Sequence, residues 1–154
     1  LIERFHTIVG IDPDSKAHGV AVYEDGKLVR LANLHAMDVI ELRGPGVVFA
    51  VENVMENGFL YDRYKDHPYK VKVKIAMNVG RCQQSQLELT RLFDRFGCPH
   101  EPIKPQAGNW ADDEDRFKLA TGWTGRSNHD QRSAAFFGHL LLGDLNRAQA
   151  VRDL

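Results

Sequence analysis

The sequence predicts an α/β fold on one mixed sheet: an antiparallel meander of three strands, then two strands parallel to the first, flanked by helices. Three observations carry this. Apolar, β-branched runs recur at residues 7–12, 19–23 and 28–34, with an Asp25-Gly26 hairpin signal between the last two. A fourth such run, Val47-Val48-Phe49-Ala50-Val51-Glu52, follows a Gly44-Pro45-Gly46 break. Beyond it the apolar period lengthens from two residues to 3.6, which marks helices. The resulting order, βββ(α)βαβαα, is not that of a doubly wound parallel sheet.

Each element has its own local reason. In residues 7–12, Ile8 and Asp12 share one face while Val9 and Ile11 take the other, and Pro13-Asp14-Ser15 ends the strand. Residues 37–42 read as a helical turn. The stretch 53–69 has Gly, Asn, Pro and aromatic residues without a period and reads as a loop or flap. Over residues 71–96, Leu89, Leu92, Phe93 and Phe96 repeat at helical spacing, and Gly97 and Pro99 stop the helix. Residues 100–105 read as the fifth strand. Residues 112–121 form a helix with an acidic start, broken by Gly122-Trp123-Thr124-Gly125. Asn128, with Gln131 three residues on, caps a last helix running to about Asn146 on an apolar stripe of Ala134, Phe137 and Leu141. Phe117 and Leu119 read as structural, and Trp110 and Trp123 as core or packing residues.

The 154 residues, 43% apolar and 27% charged, fit a single domain spanning residues 1–154 with a core of its own. No apolar run approaches the roughly 18 residues of a membrane span, and no secretory pattern is visible. A cytoplasmic setting is expected. The chain begins at Leu1, as expected where a few native residues precede it. Cys82 and Cys98 form no C-x-x-C pair, so free thiols are expected and a zinc site is not. A net charge of −1 argues against a broadly cationic coat for nucleic acid. Charge is nevertheless split: Arg63, Lys65, Lys70, Lys72 and Lys74 cluster among Tyr61, Tyr64 and Tyr69, whereas Asp112-Asp113-Glu114-Asp115 is an acidic block.

Three carboxylates stand out. Asp12 and Glu52 each end an apolar strand, and Asp130 lies in the first turn of the last helix. A hard divalent cation takes such oxygen ligands. Two divalent ions about 4 Å apart can activate water and stabilise a departing alkoxide, the requirement for phosphodiester hydrolysis. Taken singly, Asp14 is a turn-former and Asp130 a helix-dipole acid. Glu52 is harder to explain that way, because a charge directly after a buried run is costly unless it is paired or metal-bound.

Val9-Gly10-Ile11-Asp12-Pro13-Asp14-Ser15, then Phe49-Ala50-Val51-Glu52-Asn53-Val54, then a helix opening at Asp130, resemble the RuvC-type Holliday-junction resolvases of the ribonuclease H-like superfamily. The resemblance runs through nearly the whole chain, and the compact size suits a diverged, phage-encoded member. It implies a five-stranded mixed sheet, cleavage with magnesium or manganese (two ions once substrate is bound), and a homodimer nicking opposing strands of a four-way DNA junction. The helix around residues 75–96 is the expected dimer seat. Asp12, Glu52 and Asp130 are then the catalytic and metal-binding residues. Two departures matter. Relatives carry a further Asp three residues after the position of Asp130, where this chain has Ser133, and they usually have Gly at Asp14. Either three carboxylates suffice, or Asp14 or His129 compensates, or cleavage is weak. Asp14 and Ser133 therefore enter as candidate metal-site positions.

For DNA, Met55 stands where relatives place an aromatic wedge, with Phe59, Tyr61 and Tyr64 as alternative stacking groups. Arg63, Lys65, Lys70, Lys72 and Lys74 are candidates to neutralise phosphates, with Arg81, Gln84, Lys104 and Lys118 as further contacts. The alternatives are a junction-binding protein of weakened activity and a ribonuclease of the same fold. An actin-like ATPase would need a second half-domain for which the chain has no length.

Overall fold

The computed structural model describes residues 4–56 and 66–154. The strands are β1 (Thr7–Asp12), β2 (His18–Glu24), β3 (Lys27–Leu34), β4 (Val47–Glu52) and β5 (His100–Ile103). The helices are α1 (Ala36–Ile40), α2 (Tyr69–Phe96), α3 (Glu114–Thr121) and α4 (His129–Arg152), with a 3-10 turn at Val54–Glu56. One sheet has the order β3-β2-β1-β4-β5. The first three strands pair antiparallel, while β4 is parallel to β1 and β5 parallel to β4, as expected. Asp25 and Gly26, at φ 49° and 81°, both adopt the left-handed conformation of a two-residue hairpin turn.

Strand alternation splits the core in two. Ile8, Ala21, Tyr23, Val48 and Ala50 face α4, α3 and Trp110. Val9, Ile11, Val20, Val22, Phe49 and Val51 face α1 and the C-terminal half of α2, where Phe93 stacks on Phe49 at 4.4 Å between ring centroids. Burying a side chain of this size contributes about 1.5–3 kcal/mol. Helix α4 crosses β1 without an intervening side chain: a Cβ on Gly10 would overlap the Ala134 carbonyl, and one on Gly138 would meet the Tyr23 ring. Such close approach is what glycine permits.

Several boundaries move. Helix α2 begins at Tyr69, directly after Pro68, two residues before the expected start. Strand β5 stops at Ile103 rather than Pro105; the Ile103 carbonyl accepts from the Asn53 N–H at 2.8 Å, and Pro105 has no N–H to extend the ladder. Helix α3 begins at Glu114 because Asp113 is its cap, accepting the Arg116 N–H at 3.0 Å. Helix α4 runs on to Arg152, since no proline interrupts residues 146–152. Trp110 and Phe117 are core, as expected, but Leu119 is 88% exposed: two residues on from Phe117, it projects from the other side of the helix. Among the described residues, no helix is long and apolar enough to cross a membrane.

Candidate metal centre

Strands β1 and β4 lie side by side and in register from Thr7–Val47 to Ile11–Val51, and each ends one residue later in a carboxylate. By alternation Asp12 follows Ile8 and Gly10, and Glu52 follows Val48 and Ala50. Both therefore face α4. That helix begins at a fixed point. The Asn128 side chain accepts the Gln131 N–H at 2.9 Å, and the Gln131 side chain accepts the Asn128 N–H at 3.1 Å. The same two side chains donate to Asn33 Oδ1 on β3, at 2.7 and 2.8 Å, tying the helix start to the sheet. Gly19 on β2 packs directly under Asp130.

The result is a cavity of about 290 Å³ whose lining includes Asp12, Asp14, Glu52, Cys82, His129, Asp130 and Ser133. Donor atoms of Asp12, His129 and Asp130 lie within 4.8 Å of one another. Burial, then the neighbouring Glu52 and Asp130, push the Asp12 carboxyl well above the usual range, against a lowering hydrogen bond from Ser133. Glu52 is also raised, chiefly by burial; Asp130 adds to the shift, while a hydrogen bond with Asp12 and the proximity of His129 oppose it. Among the described residues no lysine or arginine forms an ion pair with either Asp12 or Glu52. A cluster of hard oxygen donors with one imidazole fits a divalent cation.

Ser133, 3% exposed, is the hub of a hydrogen-bonded chain: its hydroxyl accepts from Asn109 Nδ2 at 3.1 Å and donates to Asp12. Asn109 Oδ1 in turn accepts the Ala111 N–H at 2.9 Å. Arg132 fastens both flanking loops, donating to the Ala111 carbonyl through Nε and Nη2 (3.0 and 2.8 Å) and to Ser127 through Nη1. Asp14 lines the cavity yet also forms the expected turn, its Oδ1 accepting the Lys16 N–H at 3.0 Å and its own N–H donating to His18 Nδ1 at 3.3 Å. Cys82 and Cys98 are free, and burial raises both thiols. Sequence reasoning missed Asn109, Cys82, Asn33 and Gly19 at this site. None carries a local signal, since each reaches the carboxylates only through tertiary packing.

The candidate DNA contacts are more dispersed. Phe59, Tyr61, Arg63, Tyr64 and Lys65 lie outside the described residues. Met55 is 43% exposed on the turn after β4, next to Val54, which lines the cavity. Lys70, Lys72 and Lys74 sit on the first turns of α2, so Lys70 and Lys74 share a face and Lys72 points to another. Val79 and Cys82 of α2 line the cavity, and Arg81 between them is exposed. Lys104 is exposed just beyond β5. Lys118 is paired with Glu114 at 3.3 Å and lines a separate, shallow depression with Leu119 and Trp123, away from the carboxylates. The large exposed hydrophobic residues of α2 are Tyr69, Val71, Val73 and Met77 near its start and Phe96 at its end, under the Arg43 guanidinium.

No family model matches the sequence, and neither does any curated protein. Among solved structures the chain is similar to T. thermophilus RuvC in complex with a Holliday junction substrate. The match has a TM-score of 0.54 and 14% identity, covering 86% of this chain and 90% of that one. With the sheet order and strand directions above, the chain has the ribonuclease H-like fold seen in RuvC.

Proposed function

We propose that this protein is a divalent-metal-dependent endonuclease that hydrolyses phosphodiester bonds in branched DNA such as four-way junctions. One observation carries the reading: Asp12, Glu52 and Asp130 come from three elements and meet in one cavity, beside His129, on a fold shared with a junction-bound RuvC. Asp12, on the central strand, holds magnesium or manganese together with Glu52 and Asp130. The bound cation supplies Lewis acidity toward water and the scissile phosphate. Ser133 and Asn109 hold the Asp12 carboxylate in orientation. Lys70, Lys74, Arg81 and Lys104 neutralise strand phosphates, and Met55 rests against an unstacked base. A homodimer places two such centres on opposing strands, with Val71, Val73 and Met77 of α2 in the contact.

A labelled four-way junction, a linear duplex and an RNA–DNA hybrid, each incubated with magnesium and with manganese, test the reading. Nicking at defined positions in the junction supports it; cleavage of the hybrid alone assigns a ribonuclease. Ser133 favours a second reading, a junction-binding protein of weakened activity, because its hydroxyl stands where a carboxylate would add charge. Under that reading wild type binds junctions but cuts them slowly, and Ser133→Asp raises the rate.

A further inference from the structure

His129 stands between two carboxylates. Its Nδ1 is hydrogen-bonded to Asp130 Oδ1 at 3.2 Å, a residue of the Asp12–His129–Asp130 cluster, and its Nε2 stands at ion-pair distance, 3.4 Å, from Asp112 Oδ1, outside that cluster. Histidines that bind metal characteristically give their second ring nitrogen to a carboxylate, which fixes the tautomer and turns the other lone pair inward. Asp112, 93% exposed and the first residue of the acidic block, is the carboxylate within reach of Nε2 for that role. The 4.8 Å span of the cluster is close to the roughly 4.2 Å between two ligands on opposite sides of one ion at about 2.1 Å each. Ser133, engaged with Asn109 and Asp12, brings a hydroxyl and no charge to the cluster. Resting on the metal-centre reading above, we propose that Nδ1 of His129 is a direct metal ligand oriented by Asp112. The mixed nitrogen and oxygen set then makes the centre prefer Mn2+ to Mg2+. Imidazole suits transition-series ions, whereas Mg2+ takes an all-oxygen shell, and Mn2+ accepts both donor types.

Pulsed EPR of the wild-type protein loaded with Mn2+ tests the ligand directly and needs no variant. Modulation from a directly bound imidazole nitrogen is expected, and its absence overturns the proposal. Calorimetric titration then reads affinity. His129→Ala weakens Mn2+ binding about tenfold or more and Mg2+ binding less than about threefold, while Asp112→Asn weakens Mn2+ severalfold. His129→Asp shifts the preference back toward Mg2+. Unchanged Mn2+ affinity in folded His129→Ala contradicts the assignment. Junction cleavage is scored separately: nitrogen modulation without nicking removes the nuclease reading and leaves the ligand standing. Nicking without modulation does the reverse.

Discussion

Gly19 and Asp130 touch through the backbone: a Cβ on Gly19 would overlap the Asp130 carbonyl and come within 2.8 Å of the Asp130 Cβ. The second strand therefore sets how near the first turn of α4 comes to Asp12, and a hydrogen atom at position 19 is part of the candidate metal centre's geometry. Gly19→Ala is expected to displace that turn. Overpacking of this kind costs about 1–3 kcal/mol, readable by denaturant unfolding. Divalent-ion affinity falls with it, whereas Gly26→Ala, far from the site at the hairpin, leaves metal binding as it was.

Asp12→Asn is expected to make the metal-free protein more stable while removing cleavage. Burial and the neighbouring carboxylates raise the Asp12 and Glu52 pKa values above their unfolded ones, so at intermediate pH the native state holds more protons than the unfolded chain. Stability is thus lost as pH rises through the folded values, and the penalty is absent below the ordinary carboxylate range. His18 and His139, lowered by burial, act oppositely and cost stability as pH falls below about 6.5. They are common to both proteins and cancel in the difference. The stability gap between Asp12→Asn and wild type should therefore widen as pH rises above the ordinary carboxylate range. One pKa unit is about 1.4 kcal/mol, or about 3–5 °C in Tm for a chain of this size. Saturating Mg2+ or Mn2+ narrows the gap by stabilising wild type.

Ser133→Ala removes the donor to Asp12 and leaves Asn109 Nδ2 without its acceptor. The Asp12 carboxyl rises further, and Mg2+ binding at neutral pH is expected to weaken about fivefold, the equivalent of one hydrogen bond of about 1 kcal/mol. Calorimetric titration against Ser133→Thr, which keeps the hydroxyl, checks it.

Tyr23→Phe tests the scaffold away from the chemistry. The phenol donates to the Ala135 carbonyl at 2.7 Å inside the core, and burial raises its pKa. Loss of this bond costs about 1–2 kcal/mol in stability. Metal affinity measured below the melting transition should not change.

Much of this arrangement is legible in the sequence where its cause is local. Alternation along Thr7–Asp12 and Val47–Glu52 places both terminal carboxylates on the face that α4 covers, and Asp25-Gly26 and the Asn128–Gln131 capping box announce themselves within four residues. Strand β5 reads less well because four residues, His-Glu-Pro-Ile, carry almost no period. The contacts Asn109–Ser133, Asp112–His129 and Gly19–Asp130 are invisible, because they join residues 17 to 111 positions apart that only the packed fold brings together. Asp14 reads correctly as a turn-former yet also lines the cavity, a double duty that no single-residue argument separates.

The most direct measurement is magnesium- and manganese-dependent nicking of a labelled four-way junction by wild type and by Asp12→Asn, Glu52→Gln and Asp130→Asn, with junction binding followed in parallel. Defined nicks from wild type, lost by a factor of about 10² or more in every variant while binding persists, are predicted. Metal-dependent turnover that survives any one of the three substitutions would contradict a centre built on those carboxylates.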